Sequence, residues 1–306
     1  MKHNEPDFCF GVIALIGPPN AGKSTFLNQV IGGKIAIVSP KPQTTRNRVT
    51  GILTREDMQA VFLDTPGIHA HKGRMNEFML RSARSGLMAA DAVLLFLDAQ
   101  MYVHKPRKLE ADLKLLSASL ASVGSPRVIA LNKCDLVGDK KDLLPIMHRV
   151  QKEWNEAEIF PISAMRGEGT EEVLGRMRGL LPSGAAMYPD DQLSTLPVKF
   201  MVSEIIREKL FLNLDKELPY NVAVQIESWD EDDDLVRVEA IILVAKSGHK
   251  PIVIGHKGAA LKHIGTLARE EAEELLGKKV YLGLWVKVKP KWTENRSLLQ
   301  SLGLGD

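Results

Sequence analysis

Residues 17–24 read Gly-Pro-Pro-Asn-Ala-Gly-Lys-Ser and fit the spacing G-x-x-x-x-G-K-[ST]. An apolar run over 10–16 precedes them, and a stretch of helical character over 24–31 follows. A strand that turns through glycines into a helix is the context in which such a loop wraps phosphate. It commits the first part of the chain to an α/β sheet. Gly17 and Gly22 let the backbone turn its N–H groups toward the phosphates. Pro18, Pro19, Asn20 and Ala21 fill the loop between them. The helix start at Lys23 adds a positive dipole end. Lys23 is expected to reach the β- and γ-phosphates and the Ser24 hydroxyl to bind Mg2+, with Thr25 completing the phosphate-binding run.

Further apolar runs at 60–63, 92–97, 128–131 and 159–162 each end in a polar residue. Ligands bind at the carboxyl ends of strands in an open parallel sheet. The loop alone does not choose between ATP and GTP. Asn132-Lys133-Cys134-Asp135 follows one of these runs and fits N-K-x-D. A carboxylate at Asp135 can accept bonds from N1–H and the exocyclic amine of guanine, an arrangement that adenine lacks. Asn132 can bridge back to the phosphate loop, and the stem of Lys133 can cover the base. Ser163-Ala164 follows the next run, where a backbone N–H can reach guanine O6.

Asp64-Thr65-Pro66-Gly67 ends the run at 60–63. Asp64 is expected to hold Mg2+ through a water, and the Gly67 N–H to sense the γ-phosphate. A threonine of the segment Ser-Pro-Lys-Pro-Gln-Thr-Thr-Arg-Asn-Arg-Val can complete the Mg2+ shell. Thr45 is favoured, with Thr44 second. The next residue after the glycine is Ile68, which cannot orient an attacking water as a glutamine would. Turnover is therefore expected to be slow, resting on Mg2+, Lys23 and backbone donors.

The alternation of strand and helix stops near Leu181. The segment 182–197 is rich in Pro, Ser, Gly and Asp and reads as a linker. Beyond it the order is helix (198–212), strand (221–229), an acidic turn at 230–234, strand (235–245), two helices, and an alternating strand over 280–288. Between the two helices lies Gly255-His256-Lys257-Gly258, a GxxG loop of the kind that clamps single-stranded RNA in KH domains. Ile254 and Lys262 flank it, with Lys246, Lys250 and His263 nearby. Ile252, Ile254, Leu261 and Ile264 are candidates for an apolar groove, and equally for the core. Lys287, Lys289, Lys291 and Arg296 form a basic tail.

Composition sets the remaining limits. The net charge is only +2, so any nucleic-acid site is local. Two cysteines, Cys9 and Cys134, cannot frame disulfides or a four-ligand zinc site. His69, His71, His104 and His148 show no metal-ligand spacing with them. The start lacks a signal pattern and no apolar run approaches a membrane span, which reads as a soluble cytoplasmic protein.

Together, the phosphate loop, the Pro-Gln-Thr-Thr-Arg-Asn-Arg segment, Asp-Thr-Pro-Gly, Asn-Lys-Cys-Asp and Ser-Ala resemble the Era family of GTPases. So do Phe200 to Phe211, Leu218 to Val224, Val253 to Gly258 and Leu284 to Lys289. The likeness runs from about residue 8 to the C-terminus. It implies a P-loop GTPase domain over 1–181, mostly parallel sheet with helices on both faces. The linker and an α+β type II KH domain over 198–306 follow. It also implies GTP and GDP as ligands, the 3′ end of 16S rRNA and the small ribosomal subunit as partners, and a role in assembling that subunit. Peripheral contact with the inner membrane and a monomeric state belong to the same expectation. Pro18 replaces an expected basic residue and Ala21 an expected valine. Related GTPases with asparagine at the position of Asn20 use it to hold K+, so K+ is a second candidate cation. Two other readings are an ATPase with the same loop, and a switch whose KH-like domain contacts a protein or membrane partner.

Overall fold

A computed structural model describes residues 8–68 and 74–303. The chain separates into two compact units: Met1–His71 with Met79–Thr195, and Lys72–Phe78 with Leu196–Asp306. His69 and His71 lie outside the described residues.

The first unit is built on a six-stranded sheet in the order β2-β3-β1-β4-β5-β6. The strands are β1 (Cys9–Ile16), β2 (Val49–Arg55), β3 (Met58–Asp64), β4 (Ala92–Asp98), β5 (Arg127–Asn132) and β6 (Glu158–Pro161). All pairings are parallel except β2 with β3. β3 and β4 are buried at every position, as expected for strands covered on both faces. The helices are α1 (Lys23–Ile31), α2 (Arg74–Met88, of which only the part from Met79 belongs to this unit), α3 (Ala99–His104), α4 (Pro106–Leu120), α5 (Leu143–Glu153) and α6 (Thr170–Arg178). One core, from Ala14 and Ile16 through Leu95 and Leu131 to Val150, runs under α3, α4 and α5. Phe26 of α1 meets Phe62 and Phe96 edge-on, with ring centres 6.2 and 5.3 Å apart. Burying each ring contributes roughly 1.5–3 kcal/mol.

The apolar runs of the sequence do not mark β2 as a strand. It forms the outer edge. Of the segment 182–197, read above as a linker, residues 187–194 are strapped along this side of the sheet, and 182–184 pair with residues 8–10 at the start of β1. Ile52 N–H donates to Leu193 O at 2.8 Å, and Ser194 Oγ donates to Thr50 O at 2.5 Å. Gln59, with no exposure, donates to Tyr188 O at 2.9 Å and accepts from the N–H groups of Met187 and Tyr188. A covered edge cannot template pairing with another chain.

The second unit contains α7 (Val198–Asn213), β7 (Val222–Glu231), β8 (Leu235–Val244), α8 (His249–Ile254), α9 (Ala259–Leu276), β9 (Lys279–Val288) and α10 (Arg296–Ser301). Its sheet has the order β7-β8-β9, antiparallel then parallel. Val236, Val238, Ala240, Ile242 and Val244 of β8 alternate into a core with Val202, Ile206 and Phe211 of α7, and Ile264, Ala268 and Ala272 of α9. Trp292, fully buried, donates from Nε1 to Asn221 O at 3.1 Å. Among the described residues no helix is long and apolar enough to cross a membrane.

Candidate functional site

The parallel register aligns the carboxyl ends of the strands: Leu15 of β1 opposes Asp64 of β3, and Asp98 of β4 opposes Asn132 of β5. The loops leaving these ends form a cleft of about 420 Å3. Pro19, Asn20, Gly22, Lys23, Ser24 and Thr25 line one side, with Gly67 beside them. Ile37 to Pro40, Gln43, Thr44 and Thr45 line another, and Lys133 and Met165 mark the far end.

Gly22 shows why this position takes no side chain. Its φ is +97°, and a Cβ there would lie 2.0 Å from Asn132 Nδ2. That close approach lets Asn132 join three loops. Its Nδ2 donates to Ala21 O at 2.8 Å, and its Oδ1 accepts from Ala164 N–H at 2.9 Å. Ser163 N–H donates to Glu168 O. Both N–H groups are thus engaged within the protein, so a bond from either to guanine O6 must share or replace one of these.

Lys23 is buried, and its Nζ donates to Gly17 O at 3.3 Å and Pro18 O at 3.1 Å. Burial lowers its pKa, opposed by Asp64. Ser24 Oγ lies 2.9 Å from Thr45 Oγ1 and 2.5 Å from Asp64 Oδ2. Thr44 turns elsewhere, its hydroxyl donating to Lys41 O at 2.7 Å and meeting Ser39 Oγ. Burial raises the Asp64 pKa to about 6, against the pull of Lys23. Asp64 Oδ1 is buried with no hydrogen-bond partner. Three oxygens in one place, one carboxylate lone pair unused and a buried charge under-compensated fit a hard cation such as Mg2+.

Thr65 is fully buried and its hydroxyl donates to Leu15 O at 2.8 Å, tying the Asp-Thr-Pro-Gly turn to β1. Pro66 follows it, also buried. A Cβ on Gly67 would stand 2.6 Å from Pro19 N, so the turn sits hard against the phosphate loop. Ile68 N–H donates to Gly17 O at 3.1 Å while its side chain joins the core. Asn20 Nδ2 donates to Pro40 O at 2.6 Å.

At the far end, Lys133 Nζ pairs with Asp98 Oδ2 at 2.6 Å, and Asp135 faces Arg166 Nε at 3.6 Å. Cys134 is a core residue: its thiol donates to Leu131 O at 3.0 Å, and burial raises its pKa. Sequence reading missed Asp98, Met165 and the wall from Ile37 to Pro40. Asp98 was legible as the polar end of a strand, but no local signal marks Met165 or the wall.

In the second unit, Gly255 has φ +75° and a Cβ there would meet Ala260 N at 2.8 Å, so the loop packs its backbone onto α9. His256 and Lys257 are exposed at the tip, and Gly258 opens α9. A second cleft of about 380 Å3 starts at Gly258 and runs between α9 and β9, lined by Leu261, Lys262, Arg269, Leu282 and Leu284. Of the groove candidates only Leu261 lines it. Ile264 is fully buried, Ile254 packs half-buried against the core, and Ile252 is exposed. From Lys246 to Arg269 there are five Lys and Arg and no Asp or Glu. Lys287, Lys289, Lys291 and Arg296 are all exposed.

Comparison with known proteins follows this division. A family model described as a 50S ribosome-binding GTPase matches residues 12–133, and a KH-domain model matches 217–293. GTPase Era of Nitratidesulfovibrio vulgaris is 52% identical over 298 residues, 97% of each chain. The GTPase Era of Geotalea daltonii is 43% identical over 300 residues, 98% of this chain and 99% of its own. A crystal structure of a variant of Aquifex aeolicus Era bound to GDP and AlF4− covers 98% of this chain and 100% of its own, with 36% identity and a TM-score of 0.92. An Era in complex with MgGDPNP and nucleotides 1506–1542 of 16S ribosomal RNA covers the same shares at 36% identity, with a TM-score of 0.91. With motifs, fold and near-full-length identity in agreement, this chain belongs to the Era family of GTPases.

Proposed function

We propose that this chain is a GTP-hydrolysing switch that binds the 3′ region of 16S rRNA and assists assembly of the small ribosomal subunit in the cytoplasm. The observation that carries this reading is the pairing, in one chain, of two sites. One is a phosphate cleft that reaches Lys133 of Asn-Lys-Cys-Asp, and the other is a GxxG turn that opens onto a cleft bearing Lys262 and Arg269. The likeness to an Era solved with MgGDPNP and 16S nucleotides supports it.

In this reading Lys23 and the N–H groups from Asn20 to Thr25 hold the phosphates, Pro18 and Pro19 shaping the loop without donating, and Asp135 reads the guanine edge. Ser24 and Thr45 hold Mg2+ directly and Asp64 through a water. Bound there, Mg2+ neutralises charge that develops on the transferred phosphoryl group. Burial that disfavours the Lys23 and Asp64 charges is offset once phosphate and cation arrive. Ile68, 4% exposed, presents no polar atom to a water, so hydrolysis is slow without a partner. Asn20, whose side chain shares one spot with the Pro40 carbonyl, is the candidate for K+. Equal hydrolysis rates in KCl and NaCl remove that part.

The test has two arms. GTP displaces a fluorescent GDP from the protein and ATP does not; displacement by ATP overturns the nucleotide assignment. A 3′-terminal 16S rRNA fragment is retained by the intact protein and lost by the Gly255→Asp, Gly258→Asp double variant at unchanged GDP affinity. If the intact protein ignores the fragment, the second unit serves a protein or membrane partner and the assembly reading fails.

A further inference from the structure

We infer that Asp98 is a positioning residue for guanine recognition. It fixes Lys133 in place, so that the lysine stem is a ready-made wall of the base slot before nucleotide arrives. This rests on the guanine reading of the cleft.

The placement follows from strand register. Asp98 ends β4 opposite Asn132, the last residue of β5, so it stands beside the residue that follows, Lys133. Lys133 has φ 65° and leads into the turn Cys134–Leu136 that carries Asp135. Both oxygens of Asp98 are engaged. Oδ2 accepts from Lys133 Nζ at 2.6 Å, and Oδ1 accepts from Met101 N–H at 2.9 Å, capping α3. The Asp98 side chain is 6% exposed and that of Lys133 30%. A carboxylate anchored on a helix cap thus holds the ammonium, and Lys133 is one of the residues that line the cleft.

Two consequences follow. A free lysine samples many rotamers, and ordering it on binding costs affinity; here the ordering precedes binding. A loose ammonium two positions from Asp135 would also compete for the carboxylate that guanine needs. Asp98 keeps it occupied elsewhere. Asp98 touches no reacting atom in this scheme and acts only through Lys133.

Asp98→Asn tests this, because the amide oxygen still caps α3 while the charge facing Lys133 is gone. Competition binding against fluorescent GDP compares GDP, IDP and tripolyphosphate. The expected result is a loss of about tenfold for GDP and for IDP alike, the size of ordering one long side chain. Tripolyphosphate binding and the melting temperature stay unchanged. In a Lys133→Ala background the same substitution has no further effect. The inference is overturned if Asp98→Asn binds GDP like wild type, if tripolyphosphate weakens in parallel, or if the loss persists without Lys133. If ADP instead binds the wild type as well as GDP, the guanine reading itself has failed.

Discussion

Gly22 and Asn132 are 110 positions apart, yet the two motifs are packed directly against each other. The 2.0 Å approach between a Cβ at Gly22 and Asn132 Nδ2 leaves no room for alanine, and the φ of +97° is strained for any L side chain. Gly22→Ala is expected to push Asn132 off Ala21 O and Ala164 N–H together. Loss of about 1–3 kcal/mol of stability follows from backbone strain alone. GDP binding is expected to fall by more than about tenfold, since the loop 17–24 and Asn-Lys-Cys-Asp are tied together through Asn132. Calorimetric melting and GDP titration measure the two effects, and a variant that melts normally and binds GDP normally contradicts the geometry. Cys134 makes the opposite case. It occupies the variable position of Asn-Lys-Cys-Asp but belongs to the core, with its thiol bonded to Leu131 O and its pKa raised by burial. Alkylation at about pH 8 is expected to be far slower than for a free thiol, because the reactive thiolate is scarce and shielded. Mass spectrometry of the time course reads this directly.

Elements are held by contacts that no single segment announces. Gln59 is the clearest example. It lies in β3 at zero exposure and ties down residues 187 and 188 of the strap through three hydrogen bonds. Gln59→Ala leaves two N–H groups and one carbonyl without that partner, and destabilisation of roughly 2–4 kcal/mol is expected. Limited proteolysis should then cut between 186 and 196 while the rest of the first unit resists. The same element shows where sequence reading stops. The phosphate loop and Asn-Lys-Cys-Asp were legible because fixed spacing and a preceding apolar run mark them locally. β2 was not, because Val49–Arg55 follows a polar run and is half-exposed on an edge. The strap residue that pairs with Ile52, Leu193, is 141 positions away. The strap reads as a linker for the same reason: its Pro, Ser and Gly content is real, but tertiary hydrogen bonds hold it to the sheet. Asp98 beside Lys133, and Leu282 and Leu284 beside Leu261, likewise become neighbours only through strand register and helix packing.

On the scale of the whole molecule, a net charge of +2 hides a strong segregation. Residues 204–239 carry eleven Asp and Glu against four Lys and Arg, whereas the run from Lys246 to Arg269 around the GxxG loop carries five cations and no acid. Binding of single-stranded RNA releases condensed counterions, and log K falls against log salt with a slope of about −0.7 per neutralised phosphate. The low total charge therefore does not predict weak salt dependence; the local run does. Lys257 at the loop tip and Lys262 on the cleft wall are exposed and free of acidic neighbours in sequence. Replacing both with alanine is expected to lower the slope by about 0.7 for each phosphate that is no longer neutralised, and to weaken RNAs of different sequence by the same factor. Removing cations of the first unit, such as Lys114 and Lys152, should leave the slope unchanged. Titrations of a 3′-terminal 16S rRNA fragment and a scrambled fragment at several salt concentrations separate these outcomes. A slope that stays at the wild-type value after both lysines are gone places the phosphate-binding cations elsewhere on the second unit. A loss confined to the cognate fragment would instead make the two lysines readers of sequence rather than of charge.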